Sequence, residues 1–259
     1  MKRLLFITIL LISSSLPVAA ADLTIFAASS LREAFIEIGR IYEQQSGQRV
    51  SFNFAGSQTL RTQIEFGAPA DLYAAANPEI IKPLINKNLV GPVHYFAGNN
   101  LTLLLSKKQS PINKLSGLTA DGMQIAIGSH YVPIGKYTRV LLAGMSSDPQ
   151  FGEALINRIR ENVRTEESSV KAIVTKVLLD EVDAGIVYRT DLTTDVRSKT
   201  SHLELPGRHN PFVRYPAAVV RNSRQQNAAQ VFLELLLAPS GQEVLQRYGF
   251  LPVTAGGIK

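Results

Sequence analysis

Apolar positions along the chain switch repeatedly between a spacing of two and a spacing of three and four. Leu23, Ile25 and Ala27 alternate and predict a strand. From Leu31 the spacing turns helical through Phe35, Ile38 and Tyr42, and Gly47 follows as a stop. The junction reads Phe26-Ala27-Ala28-Ser29-Ser30-Leu31-Arg32-Glu33, in which Ser30 and Glu33 have the spacing of a capping box. Val50, Phe52 and Phe54 alternate as a second strand. Ala55-Gly56-Ser57-Gln58-Thr59-Leu60 then turns directly into a helix running to about Gly67. Asp71-Leu72-Tyr73-Ala74-Ala75 reads as a third strand. Asn77-Pro78-Glu79 gives an N-cap with proline at the first helical position, and a helix from there towards Asn88.

The alternation continues. Leu101 to Leu105 and Met123 to Ile127 are apolar runs that predict buried strands, the second ending at Gly128. After Ser129-His130-Tyr131-Val132, the turn Pro133-Ile134-Gly135 opens a helix carrying Tyr137, Val140 and Leu141. Phe151, Leu155 and Ile159 keep helical spacing. Ser168 or Ser169 caps a helix with Val170, Ile173, Val174 and Val177 on one face, and Ala184-Gly185-Ile186-Val187-Tyr188 is a short buried strand. Gly207 to Pro211 form a turn, Tyr215 to Val220 are extended, and helices near 226–237 and 240–248 close the chain. Strands alternating with helices predict a largely parallel sheet with helices on its faces.

Four of these junctions share a chemistry. A helix start presents free N–H groups at the positive end of its dipole, which favours an anion. Ser30, Ser57 and Ser168/Ser169 add hydroxyls, and Gly135 lets the backbone approach closely. A capping serine at a strand-to-helix turn is also ordinary in an α/β protein, so it is the recurrence that points to a site. If these ends converge, neutral donors alone hold an anion. A fully ionised tetrahedral dianion accepts at every oxygen, whereas monohydrogen phosphate brings a proton that finds no acceptor, at a cost of roughly 1–3 kcal/mol.

Composition narrows the setting. The chain has 259 residues, 45% hydrophobic and 19% charged, enough for one large domain or two lobes. Residues 1–21 stand apart: Lys2 and Arg3, an apolar run from Leu4 to Ile12, serines, then Pro17-Val18-Ala19-Ala20-Ala21. This has the form of a secretory signal peptide cleaved near Ala20 or Ala21, and it places the mature protein in a bacterial periplasm. With no cysteine there is neither a disulfide framework nor a lipid anchor on cysteine, so a freely diffusing chain is expected. The net charge of +6 falls to +4 without Lys2 and Arg3, and the basic residues are scattered, which does not suit nucleic acid.

The catalytic inventory is thin. His94, His130, His202 and His209 have no metal-ligand spacing, and there is no nucleophile elbow, P-loop or dinucleotide fingerprint. Carboxylates such as Asp71, Glu166, Glu167 and Asp183 leave an enzyme on a binding-protein-like fold as an alternative.

Several motifs in order resemble the periplasmic molybdate-binding proteins of ABC importers. They are Phe26-Ala27-Ala28-Ser29-Ser30-Leu31, Phe54-Ala55-Gly56-Ser57-Gln58-Thr59-Leu60 and Gly67-Ala68-Pro69-Ala70-Asp71-Leu72. Val132-Pro133-Ile134-Gly135-Lys136-Tyr137, Ala184 to Tyr188 and Arg247-Tyr248-Gly249-Phe250 follow, so the likeness runs from about Asp22 to Leu251. The resemblance implies an α/β fold, a two-lobed periplasmic binding protein (type II-like) with mixed sheets flanked by helices and the ligand in the interlobe cleft. Lobe I would take residues 22–100 and 213–259, and lobe II residues 101–212. It implies molybdate or tungstate as ligand, the membrane subunits of an importer as partner, a monomer, no cofactor and no reaction. Carried over by motif, the oxyanion ligands are the hydroxyls of Ser30, Ser57 and Tyr188 and the main-chain N–H groups of Ile134 and Val170. The chain departs from the pattern at Ile134, where a small residue is usual, and at Gly56, Gln58 and Ser169. These departures leave sulfate or another tetrahedral oxyanion as an alternative ligand.

Overall fold

The computed structural model describes residues 22–108 and 112–253. The signal-peptide segment, residues 1–21, lies outside the described residues.

The first elements are β1 (Leu23–Ala28), α1 (Arg32–Ser46), β2 (Val50–Ala55), α2 (Ser57–Glu65), β3 (Leu72–Ala74), α3 (Pro78–Asn86) and β4 (His94–Asn99). The middle of the chain forms β5 (Leu101–Ser106), β6 (Ile125–Gly128), α4 (Pro133–Ser146), α5 (Gly152–Glu161), β7 (Val163–Glu167), α6 (Val170–Leu178) and β8 (Ala184–Tyr188). It ends with α7 (Thr194–Lys199), β9 (Thr200–Glu204), β10 (Val213–Val219), α8 (Gln226–Leu237) and α9 (Pro239–Arg247). No helix among the described residues is long and apolar enough to cross a membrane.

The strands build two five-stranded sheets, ordered β2-β1-β3-β10-β4 and β7-β6-β8-β5-β9. Neither is largely parallel, contrary to the expectation from alternation alone. β10 runs antiparallel to β3 and β4, and β5 runs antiparallel to β8 and β9. The reason is the path of the chain. It leaves the first sheet after β4 and enters the second at β5 through the single residue Asn100, then returns between β9 and β10. β10 therefore enters its sheet without the helical crossover that makes neighbouring strands parallel.

Leu23, Ile25 and Ala27 are fully buried on one face of β1, where α1 lays Phe35 and Tyr42 against Phe232 of α8 at ring distances of 6.0 and 5.5 Å. A smaller cluster, with Phe26, Leu60, Tyr73 and Ile81, fills the other face beneath α2 and α3. Two covered faces explain why the strands read as nearly continuous apolar runs. Helix ends follow local chemistry where the sequence was explicit. Gly47 closes α1 at φ 70°, and Asn77 Oδ1 caps α3 by accepting from Glu79 N at 2.6 Å.

Candidate functional site: a neutral cavity between the two sheets

Ser29 to Leu31 form one 3-10 turn between β1 and α1, so α1 begins with Leu31 as its cap and no side-chain cap bond. The expected capping box is absent. A serine caps only from an extended N-cap position, and the tight turn has already carried Ser30 into the helical run. Its Oγ lies 3.3 Å from the Tyr215 hydroxyl instead. Ser57 is likewise the first residue of α2 rather than its cap, which is Gly56. The Ser57 Oγ accepts from Ala76 N at 3.1 Å. In the third junction Ser169, not Ser168, is the cap, accepting from Ala172 N at 3.3 Å.

The fourth junction depends on close approach. A side chain at Gly135 would place its Cβ 2.0 Å from the Ser129 carbonyl oxygen and 2.3 Å from that of Gly128. Only glycine lets the start of α4 settle on the end of β6. Arg139 ties the same corner, donating from Nη1 to the carbonyls of Gly128 and Gly135 at 2.9 and 3.0 Å. The Ile134 side chain occupies the space above Gly128, which has no Cβ to contest it. The N–H groups of Ile134 and Val170 fall in the first turns of α4 and α6, where an α-helix supplies no partner.

These pieces meet. Ser30, Ser57, Ile134, Val170 and Tyr188 all line one cavity between the two sheets, together with Ser29 and Ser169 but not Gln58. All five are at most 4% exposed. The cavity measures about 20 Å³, on a measure by which one water needs roughly 10–15 Å³. A compact ion suits it, and a sugar or peptide does not. Among the described residues no charged side chain lines it. Asp71, Glu166, Glu167 and Asp183 are elsewhere, engaged with Ser223, Arg139, Thr165 and Gln124 respectively.

The Tyr188 hydroxyl is buried with no hydrogen-bond partner among the described residues. Burial pushes its pKa well above the ordinary tyrosine value, so it remains protonated and able to donate. A buried polar atom left unpaired is costly and rare, and Tyr188 lines the cavity that the helix starts surround.

Outside the cavity wall a cation is held in check. Lys171, next to Val170, lies 2.9 and 3.0 Å from the two Glu33 carboxylate oxygens of α1 and 3.3 Å from Asp191 Oδ1. Burial disfavours its charge, but attraction to Asp191 and Glu33 outweighs this and raises the Lys171 pKa. Asp191 is fully buried. Burial lifts its carboxyl to about 6 against the pull of Lys171 and of the Tyr188 N–H. This cluster joins α1, beside the first sheet, to α6, beside the second, and nothing in the sequence spacing revealed it.

Lys171→Met removes the charge that holds Asp191 down, so its folded pKa rises further above the unfolded value. A group raised in this way costs stability as pH climbs through its folded pKa and costs nothing below the unfolded one. Breaking a buried pair costs roughly 3–5 kcal/mol. The variant should therefore melt on the order of 10 °C below the parent at about pH 8, with the gap narrowing towards about pH 5. Thermal melts across pH check this, and a gap constant with pH would contradict it.

A family model described as bacterial extracellular solute-binding protein matches residues 23–251. The chain belongs to this family. Among its relatives, the molybdate-binding protein ModA of Mycobacterium tuberculosis (strain H37Rv) is 29% identical over 234 residues, 89% of this chain and 85% of that protein. Two solved structures share the fold. The periplasmic molybdate-binding protein of Azotobacter vinelandii superposes with a TM-score of 0.79 at 18% identity, covering 90% of this chain and 100% of that one. The sulfate-binding protein SubI of M. tuberculosis H37Rv gives 0.77 at 20%, covering 91% and 88%. As a solute-binding protein, the chain has the fold expected from its motifs, two mixed sheets flanked by helices.

Several residues around the cavity were not singled out from sequence. Tyr215 stands out in the sequence only as part of an extended segment, Asn99 and Ala76 not at all, and Gly56 only within the second helix-start motif and as a departure from the family pattern. Their contacts with the site span up to 185 residues of chain, beyond the reach of local spacing.

Proposed function

We propose that the protein is a periplasmic receptor that captures molybdate or tungstate and delivers it to the membrane subunits of an ABC importer. The observation that carries this reading is the buried cavity lined by hydroxyls and first-turn amides, with an unpartnered Tyr188 hydroxyl and no charged side chain. Such a cavity suits a small oxyanion with acceptors on every face. Ser30, Ser57 and Tyr188 donate from side chains, and Ile134 and Val170 from the main chain. Helix dipoles supply positive potential without the cost of desolvating a lysine. Hydrogen bonds to a charged group contribute about 1.5–3 kcal/mol each, so five suffice for tight binding after the costs of closure.

The ligand comes from the relatives named for molybdate, whose likeness to this chain extends over most of its length. The sulfate-binding neighbour shares the fold alone. Residues 22–100 with 213–259 form one lobe in this reading, and residues 101–212 the other. The five donor residues are buried, so the anion enters when the lobes part and is enclosed when they close. Only the closed form then reports occupancy to the importer. The mature protein is a monomer released by cleavage near Ala20 or Ala21, and it performs no reaction.

Calorimetric titration of the ligand-stripped mature chain with molybdate, tungstate, sulfate and phosphate tests this. Tight binding of the first two with little heat from the others is expected. Binding of sulfate alone would overturn the ligand, and no binding of any would overturn the receptor.

A further inference from the structure

Ser30 can serve an anion only if its hydroxyl hydrogen points into the cavity, and a serine hydroxyl rotates freely unless something fixes it. The structure supplies that constraint from three residues. Asn99 ends β4 and directly precedes the crossing to the second sheet. Its Oδ1 accepts from Asn100 N at 2.9 Å, which fixes the amide's orientation. Its Nδ2 then donates twice, to Thr190 Oγ1 at 2.8 Å and to the Tyr215 hydroxyl at 3.1 Å. With its oxygen receiving Asn99, the Tyr215 hydroxyl has its own hydrogen to place, and Ser30 Oγ lies 3.3 Å away. Tyr215 is fully buried, and burial pushes its pKa up, so it keeps that hydrogen.

We infer that Asn99 and Tyr215 are positioning residues that hold Ser30 as an obligate donor, and that this relay sets selectivity for fully deprotonated oxyanions over protonated ones. The inference rests on the proposed oxyanion site and deepens it. A Ser30 oxygen occupied by the Tyr215 hydrogen turns its own hydrogen to the ligand. Ser57 is held the same way, its oxygen occupied by Ala76 N. An anion carrying a proton, such as hydrogen phosphate, meets donors at both positions and leaves its hydrogen unpaired. The relay also crosses from the first sheet to Thr190, beside the second, so it is complete only while the two halves stay together.

Tyr215→Phe keeps the ring and removes the hydroxyl, which leaves Ser30 free to rotate and accept. Asn99→Asp gives the Tyr215 hydroxyl an acceptor in place of a donor, which turns the relay round. Both variants and the parent are titrated at about pH 8 with molybdate, and with phosphate by competition against molybdate. The ratio of the phosphate to the molybdate dissociation constant should fall roughly tenfold or more in each variant. Loss of a hydroxyl with a merely structural role would weaken both anions alike. An unchanged ratio in a Tyr215→Phe protein that still binds molybdate overturns the relay and leaves the receptor reading intact. Failure of the parent to bind molybdate overturns both.

Discussion

The mature chain carrying Ser57→Ala should bind molybdate roughly 10- to 150-fold more weakly than the parent, as expected for loss of one hydrogen bond to a charged group. Ser57 carries a second cost, in the main chain. Its Oγ accepts from the buried Ala76 N, and alanine leaves that N–H without an acceptor. An unsatisfied buried donor costs about 1–3 kcal/mol of folding stability, which lowers Tm by roughly 2–12 °C at this chain length. The two losses are separable. Calorimetry reads the first, and a melt of the ligand-free protein reads the second. Full affinity in Ser57→Ala would remove Ser57 from the site, whatever happened to Tm.

Gly56→Ala should weaken binding by a similar factor for a different reason. The backbone at Gly56 has φ −59° and ψ 135°, which alanine adopts without strain. The glycine is needed for space, because a Cβ there would lie 2.3 Å from the Ser168 carbonyl oxygen. Gly56 precedes α2 beside the first sheet, and Ser168 precedes α6 beside the second, so the clash arises only where the two halves meet. Parting the halves relieves it. Overpacking of this kind costs about 1–3 kcal/mol, charged here against the closed form alone. Affinity for molybdate should fall roughly 5- to 150-fold, while the ligand-free Tm stays close to that of the parent. Small-angle scattering should show the parent contracting with molybdate and the variant remaining larger at the same concentration. A variant that binds and contracts like the parent would show that the Gly56–Ser168 approach does not govern closure.

The sequence made the positions of the helix starts legible because period changes and small residues mark them locally. Ser30, Ser57, Pro133, Ile134 and Ser169 stand out in this way, and the structure brings them to one cavity. The Ser169 cap is legible in the sequence, but the hydrogen bonds of Ser30 and Ser57 are not. Ser30 and Ser57 have the spacing of caps, yet their oxygens turn to Tyr215 and Ala76, 185 and 19 residues away. Alternation alone misleads on sheet direction for the same reason, since the antiparallel entry of β10 follows from a long return path. β7 and β9 escaped notice because they are edge strands of the second sheet with half their side chains in water. Val163 to Glu167 alternates, but with charged residues that mask the pattern.

In the proposed receptor one oxyanion sits among the Ser30, Ser57 and Tyr188 hydroxyls and the Ile134 and Val170 amides. A crystal structure of the mature chain with molybdate, with X-ray data collected on the molybdenum absorption edge, tests it most directly. One strong anomalous peak is expected in this cavity, with oxyanion oxygens within hydrogen-bond distance of the Ser30 and Ser57 Oγ atoms and the Tyr188 hydroxyl. A peak elsewhere, or an ordered molybdate held by lysine or arginine side chains, would contradict it.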